Sequence, residues 1–175
     1  ELEQQRVSKL NQLEEAGISP YPPRSHRTHT TQEAIAAYET AEETESEPPE
    51  VTVSGRVVSN RVMGRISFAH IEDASGKVQL FILRDELGQE AYTLYKQTID
   101  LGDFVEATGP MMRTRTGEIS VRTQRLRMLA KAITPLPIPK EYEDEDGQLK
   151  RFSAFSDVEE RYRQRYADLA VNPDT

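Results

Sequence analysis

The chain contains no cysteine and no tryptophan, has three histidines in 175 residues, and nowhere strings together more than a few apolar residues. Without cysteine there is no disulfide framework and no thiolate metal site, which fits a reducing, cytoplasmic setting. Without a run of about 20 apolar residues no helix can span a bilayer. No basic segment followed by an apolar one opens the chain, so a cytoplasmic protein with no membrane partner is expected. His26 and His29 are the one close histidine pair; their spacing is not the i, i+4 of a zinc helix and no further ligands cluster with them, so no metal site is expected. Ser75-Gly76-Lys77 lacks the glycine five residues upstream that a phosphate-cradling loop needs, and reads as a turn. No catalytic residue is legible, and a chain of this length suits one core with appendages.

What is present is charge, unevenly placed. The net charge of -8 argues against a polyanionic partner only if it is spread evenly. Glu39 to Glu50 holds six acids and no base, and Glu141 to Asp146 five acids and no base. Between Val51 and Lys140 there are 13 Lys+Arg against 9 Asp+Glu, so the central stretch is mildly basic and the acidic runs read as solvated linkers.

The hydrophobic period divides the chain into three regions. Residues 1–50 begin with Leu2, Val7, Leu10 and Leu13 at loose helical spacing, with Gly17 placed for a left-handed cap. Pro20, Pro22 and Pro23 then impose an extended strap, Thr30 and Glu33 form a capping box for a helix through Tyr38, and an acidic linker follows. Over residues 51–134 the period becomes 2. Strands are expected from Val51 to Val57, alternating around Gly55, over Ile66 to Asp73, and from Lys77 to Arg84 after the turn Ala74-Ser75-Gly76. A helix follows over Gly88 to Thr98, then strands from Asp103 to Gly109 and, past the turn Thr116-Gly117, from Glu118 to Leu129. Three strands, a helix and two strands is the order of an OB-fold, so the expected class is mainly β: a five-stranded barrel with a helix between strands 3 and 4, flanked by terminal helices. Residues 135–175 carry a proline-rich and acidic hinge. There Ser156 and Glu159 form a capping box before an amphipathic helix with Val158, Tyr162, Tyr166 and Leu169 on one face, a stripe suited to core or interface.

Strand alternation sorts side chains by face. On the second strand Ala69 and Ile71 point inward, leaving Phe68 and His70 outside; on the third Val78, Leu80 and Ile82 point inward, leaving Gln79 and Phe81 outside. Unpaired bases are held by stacking on aromatic rings and by hydrogen bonds to their edges, for which an amide offers both donor and acceptor. Pattern alone supports equally a second reading, in which Phe68 lies covered by the leading helix or the last strand.

The runs Gly55-Arg-Val-Val-Ser-Asn-Arg-Val-Met-Gly64, Ser67-Phe-Ala-His-Ile-Glu-Asp73, Val78-Gln-Leu-Phe81, Asp100-Leu-Gly-Asp103 and Arg113-Thr-Arg-Thr-Gly-Glu-Ile-Ser120 resemble the anticodon-binding domain of bacterial-type class II lysyl-tRNA synthetases. So do Leu129-Ala-Lys-Ala132 with Pro135-Leu-Pro137, Arg161-Tyr-Arg-Gln-Arg-Tyr-Ala-Asp-Leu169, and the leading segment from Leu2 to Thr30. The Phe and Gln pair is shared with aspartyl and asparaginyl relatives; Thr-x-Thr-Gly-Glu-x-Ser and Arg-Tyr-Arg-Gln-Arg-Tyr carry the lysyl likeness. The resemblance implies that Phe68 stacks on the central anticodon uridine, Gln79 hydrogen-bonds it, Glu118 accepts from the wobble-side uridine, and Arg61 contacts a base or its phosphate, with His70 on the same face. Arg113, Arg115 and Arg122 would position phosphates. Alternation places Arg61 on the inward side with Val57, so its role requires a bulge between Val58 and Asn60.

The same resemblance implies a tRNA partner and, for a longer parent enzyme, lysine activation with ATP and Mg²⁺ in a homodimer; this stretch itself carries no cofactor. Glu1 in first place and a stop at Thr175, where a helix ends, lead to the expectation of a cut before the catalytic domain. Two features depart from the family pattern: a long acidic link from Ile138 to Phe155, and Glu106 in the fourth strand, expected either near the RNA or facing solvent. The competing readings are a single-strand binder without sequence choice, a module for dimer assembly, and the synthetase-like part of an enzyme that transfers lysine to lipid.

Overall fold

Leu2–Glu15 forms helix α1 and Gly17, at φ 73°, ends it: the Gly17 N–H bonds the Glu14 carbonyl and the Ile18 N–H that of Leu13. This computed structural model describes residues 1–135, 140–143, 149–152 and 158–171. The apolar stripe of α1 is not what anchors it. Leu13 is buried but Leu2 and Val7 are exposed, and the helix is tethered by cations. Arg6 donates to the carbonyls of Ala132 and Leu101, and Lys9 meets Asp100 at 2.5 Å. The proline strap follows without regular structure, its Pro20 carbonyl accepting from the Lys131 N–H and its Tyr21 hydroxyl donating to the Lys131 carbonyl.

Helix α2, Thr31–Glu43, opens on the expected capping box, the Thr30 hydroxyl and the Glu33 carboxylate each accepting from the other residue's N–H. It runs past Tyr38, so Glu39, Glu42 and Glu43 belong to a helix and not to a linker. Tertiary partners override composition here: Glu42 accepts from the Tyr38 hydroxyl and from Arg113, which holds its carboxyl below the ordinary range.

Strands β1 (Glu50–Met63), β2 (Ile66–Glu72) and β3 (Lys77–Leu83) are followed by a short helix α3 (Arg84–Leu87) and by α4 (Gln89–Thr98). Strands β4 (Phe104–Arg113), β5 (Ile119–Thr123) and β6 (Arg125–Ala130) complete a six-stranded sheet of order β1-β2-β3-β5-β4-β6. Because β1 also pairs with β4, five strands close into a ring. All pairings are antiparallel except β3 with β5. This is the expected OB order, with two differences. The first strand reaches Met63, well past Val57. The last divides at Gln124, β5 pairing with the end of β4 and β6 with its beginning. Gly109 sits at that step, where an added Cβ would lie 2.0 Å from the Arg122 carbonyl oxygen, so only glycine lets the backbones approach this closely.

Inward-facing Val53, Ile71, Leu80, Ile82, Val105 and Val121 are fully buried and form the core with Tyr92 and Tyr95 of α4. The two phenols are also hydrogen-bonded, Tyr92 with Ser67 at 2.8 Å and Tyr95 with Asn60 at 2.5 Å, which fixes α4 against β1 and β2. Lys131, with no exposed side-chain surface, places Nζ 2.7 Å from Asp100, Asp103 and the Thr98 carbonyl, joining the end of α4 to the start of β4. Glu106 faces neither solvent nor an open surface. It is buried, accepting from the Ser25 hydroxyl, the His26 N–H and Arg127. Burial opposes its charge, but these bonds offset it and keep its pKa below the ordinary value. The strap covering this strand supplies the donors that let an acid be buried here.

Residues 1–133 form one compact unit and 134–175 another. In the second, β7 (Lys140–Glu143) pairs antiparallel with β8 (Leu149–Phe152), so the acidic run begins within a strand, Glu141 and Glu143 lying in β7, where only a hinge was expected. The single expected helix is two, α5 (Val158–Arg163) and α6 (Arg165–Val171), and Val158, Tyr162, Tyr166 and Leu169 are all exposed. Asp168, fully buried, draws in Arg161 at 2.7 Å and Arg165 at 2.8 Å. The Ser156 half of the expected capping box and the prolines at 137 and 139 lie outside the described residues.

Asp73 ties α2 to the turn between β2 and β3, accepting from the N–H and hydroxyl of Thr31 and of Ser75 and from the Gly76 N–H. Burial works against its charge, yet the hydrogen bonds from Ser75 and Thr31 prevail and hold the carboxyl at about 2. The folded pKa is thus below the unfolded one, so this stabilisation is complete above pH ~4 and disappears as pH falls towards 2. Asp73→Ala should cost about 1–2 kcal/mol at pH 7, as loss of a helix cap does, and urea unfolding between pH 4 and 2 should show a shallower loss of stability than in the parent chain.

Candidate nucleic-acid interface

The outward face of β1, β2, β3 and β5 is organised by one irregularity. Val57 pairs with Ile71 and Ser59 with His70, so Val58 is an extra residue on β1. This is the bulge that Arg61 requires: beyond it Arg61 pairs with Phe68 and leaves the inward side. Directly paired residues share a face, and the register therefore lays out two rows across the sheet. One is Arg61, Phe68, Phe81 and Arg122; the other, one step along, is Ser59, His70, Gln79 and Ser120.

The first row is aromatic with a cation at each end. The Phe68 and Phe81 rings lie 5.3 Å apart, tilted by 44°, and both are half-buried, leaving ring surface open to solvent. Phe68 is of intermediate exposure, so it is not sealed from solvent. The partner of Phe68 in this row is Phe81, and Gln79 stands opposite His70.

The second row is a hydrogen-bonded line. Ser59 Oγ meets His70 Nδ1 at 2.8 Å, His70 Nε2 meets Glu118 Oε1 at 2.6 Å, and Glu118 Oε2 accepts from Gln79 Nε2 at 2.7 Å. The Ser120 hydroxyl donates to Gln79 Oε1 at 2.8 Å. Glu118 is itself held in the β4–β5 turn, its N–H donating to the Thr114 hydroxyl and its carbonyl accepting the Thr114 N–H, with Gly117 at φ 93°. Gln79 is less open than alternation implies, at 8% exposure, because β5 lies directly beside it.

The three arginines expected to position phosphates differ in kind. Arg113 is paired with Glu42 and lies 5.9 Å from the centre of the Tyr38 ring, and Glu42 raises its pKa. Arg122 is paired with Glu86 of α3, which raises its pKa too. Arg115, in the exposed turn, has no ion-pair partner among the described residues. Sequence reasoning assigned no role to Ser59, Phe81 or Ser120. Phe81 was visible as an outward aromatic, and Ser120 as the closing residue of its hairpin motif. No group of three or more His, Asp or Glu able to hold a metal ion occurs among the described residues.

A ring of five strands with an aromatic row beside a polar one is the arrangement of a single-strand nucleic-acid binder. Residues 51–129 match a family described as an OB-fold nucleic acid binding domain, the tRNA anti-codon family. Over almost its whole length the chain is similar to lysine–tRNA ligases. It is 44% identical to that of Roseiflexus castenholzii over 175 residues, 99% of this chain and 33% of the relative. It is 41% identical to that of Bacillus subtilis over 174 residues, 98% and 32% respectively, and 41% identical to that of Chloroflexus aurantiacus over 175 residues. The chain thus spans about a third of the length of these relatives.

Phe68 contributes to the face more than to the core. Phe68→Ala should lower stability by about 1 kcal/mol, the value of an aromatic pair, whereas Leu80→Ala, at a fully buried inward position, should cost about 2–5 kcal/mol; chemical denaturation of both variants measures the contrast.

Proposed function

We propose that this chain reads the uridine-rich anticodon of a lysine-accepting tRNA, as part of a longer lysine–tRNA ligase that activates lysine with ATP and Mg²⁺ elsewhere in its length. The observation that carries the reading is the pair of rows. A solvent-open Phe68 beside Phe81 offers a stacking platform, and one step away Gln79 and Glu118 offer hydrogen-bonding groups for a base edge. Phe68 stacks on the central base, Gln79 pairs with its edge, and the lone pairs of Glu118 not used by His70 and Gln79 accept from the neighbouring wobble-side base. Arg61, at the end of the aromatic row, and Arg115, unpaired in the hairpin turn, contact phosphates. Arg113 and Arg122 must first exchange their carboxylate partners for RNA, so they contribute less. His70 acts through Glu118. The residues present bind RNA, and turnover belongs to the rest of the longer protein. Homodimer assembly and residence in the cytoplasm belong to the same proposal for the longer protein; among the described residues no helix is long and apolar enough to cross a membrane.

A stem-loop carrying UUU should bind this chain more tightly than one with adenine at the central position; equal affinity overturns the reading and leaves a single-strand binder without sequence choice. Phe68→Ala should weaken UUU binding by about 1–3 kcal/mol, the range of base–aromatic stacking, and Gln79→Ala should chiefly erode the preference between central bases. Arg115→Ala should reduce the slope of log affinity against log salt by about 0.7, and Arg122→Ala by less.

A further inference from the structure

Gln79 has the two ends of its amide held by different chemistry. Nε2 donates to Glu118 Oε2 at 2.7 Å, while Oε1 accepts from the Ser120 hydroxyl at 2.8 Å. A hydroxyl can donate or accept, so Ser120 would tolerate the amide either way round. An ionised carboxylate only accepts: turning the amide over would set Gln79 Oε1 against Glu118 Oε2, two acceptors with no proton between them. Glu118 cannot easily swing aside. Its other oxygen is engaged by His70 Nε2 at 2.6 Å, His70 is backed by Ser59, and the Glu118 backbone is bonded on both sides to Thr114. Near-complete burial of Gln79 removes the option of satisfying a flipped amide with bulk water.

The direction of an amide decides which pyrimidine it matches. Uracil offers the O4 acceptor next to the N3–H donor; cytosine offers the N4–H donor next to the N3 acceptor. These are the same two positions with donor and acceptor exchanged, so an amide that can rotate satisfies either base and an amide that cannot satisfies one. Held as it is, Gln79 keeps one N–H and one carbonyl lone pair in a fixed order.

We infer that Glu118 is a positioning residue for discrimination between uridine and cytidine at the central anticodon base, acting by fixing the orientation of the Gln79 amide. This rests on the anticodon reading and adds to Glu118 a role distinct from contact with the neighbouring base. A hydrogen bond to a charged group contributes enough to impose at least about tenfold discrimination.

The test measures affinity of the full chain for stem-loops with UUU, UCU and CUU. Glu118→Gln keeps the shape but supplies an amide that can turn with Gln79. The parent chain should prefer UUU over UCU; the variant also weakens the contact to the wobble-side base, which lowers affinity for UUU and UCU alike, while its UUU-to-UCU ratio falls about tenfold. Glu118→Ala should narrow the ratio as well, which keeps the test open if the amide variant fails to fold. In a Gln79→Ala background Glu118→Gln should leave the ratio unchanged, since the two residues act as one unit. An unaltered UUU-to-UCU ratio in both Glu118 variants, or the same change with Gln79 absent, overturns the inference while the reading stands. So does an effect confined to the CUU comparison, which marks direct contact with the first base alone. A parent chain indifferent to the central base overturns the reading and this inference with it.

Discussion

Strand β1 is paired along both edges, its first half with β4 and its second with β2, and everything else in the ring depends on that double use. A strand that serves two neighbours at different points must turn as it passes from one to the other. Val58 supplies the turn, as a residue that pairs with nothing on β2. Without it the alternation begun at Val51 and Val53 would carry through to Arg61 and bury a guanidinium among apolar side chains, at a cost of several kcal/mol. With it, valines fill the core before the bulge and Ser59 and Arg61 join the outward rows after it. Closure of the sheet and composition of the face are one event.

Several acids of this acidic chain are engaged by cations within the fold. Glu42 is neutralised by Arg113, Glu86 by Arg122, Glu106 by Arg127 beneath the strap, and Asp103 by Lys131 in the interior. The consequence is mixed, because each pairing also occupies a cation that a phosphate would use. The field at the face is therefore set by Arg61 and Arg115 more than by the basic total of the central stretch. On the proposed reading, binding would rest on stacking and edge contacts to a larger degree than the count of arginines implies.

The inward and outward sides of β2 and β3 were legible because a period of two needs nothing but the strand itself: Ala69, Ile71, Val78, Leu80 and Ile82 are inside, and Phe68, His70 and Phe81 are outside. Local signals held equally well, as with the Thr30–Glu33 capping box and the Gly17 cap, since a cap is closed within a few residues. Features closed over long separations were misread. The acidic residues after Tyr38 continue a helix because Arg113, 71 residues from Glu42, lies within reach, and Glu106 is buried because Ser25 and His26 come across from the strap.

Alone, the sequence determined which residue types occupy the face, since strand periodicity is a property of the backbone and no neighbour is needed to assign it. Only the tertiary structure decided how those residues stand to one another. The parallel pairing of β3 with β5 brings Ser120 beside Gln79 and the adjoining turn brings Glu118, from about 40 positions away along the chain. That contact buries the amide and gives it a direction, and hydrogen-bond direction between side chains is set by three-dimensional neighbours that no local pattern contains.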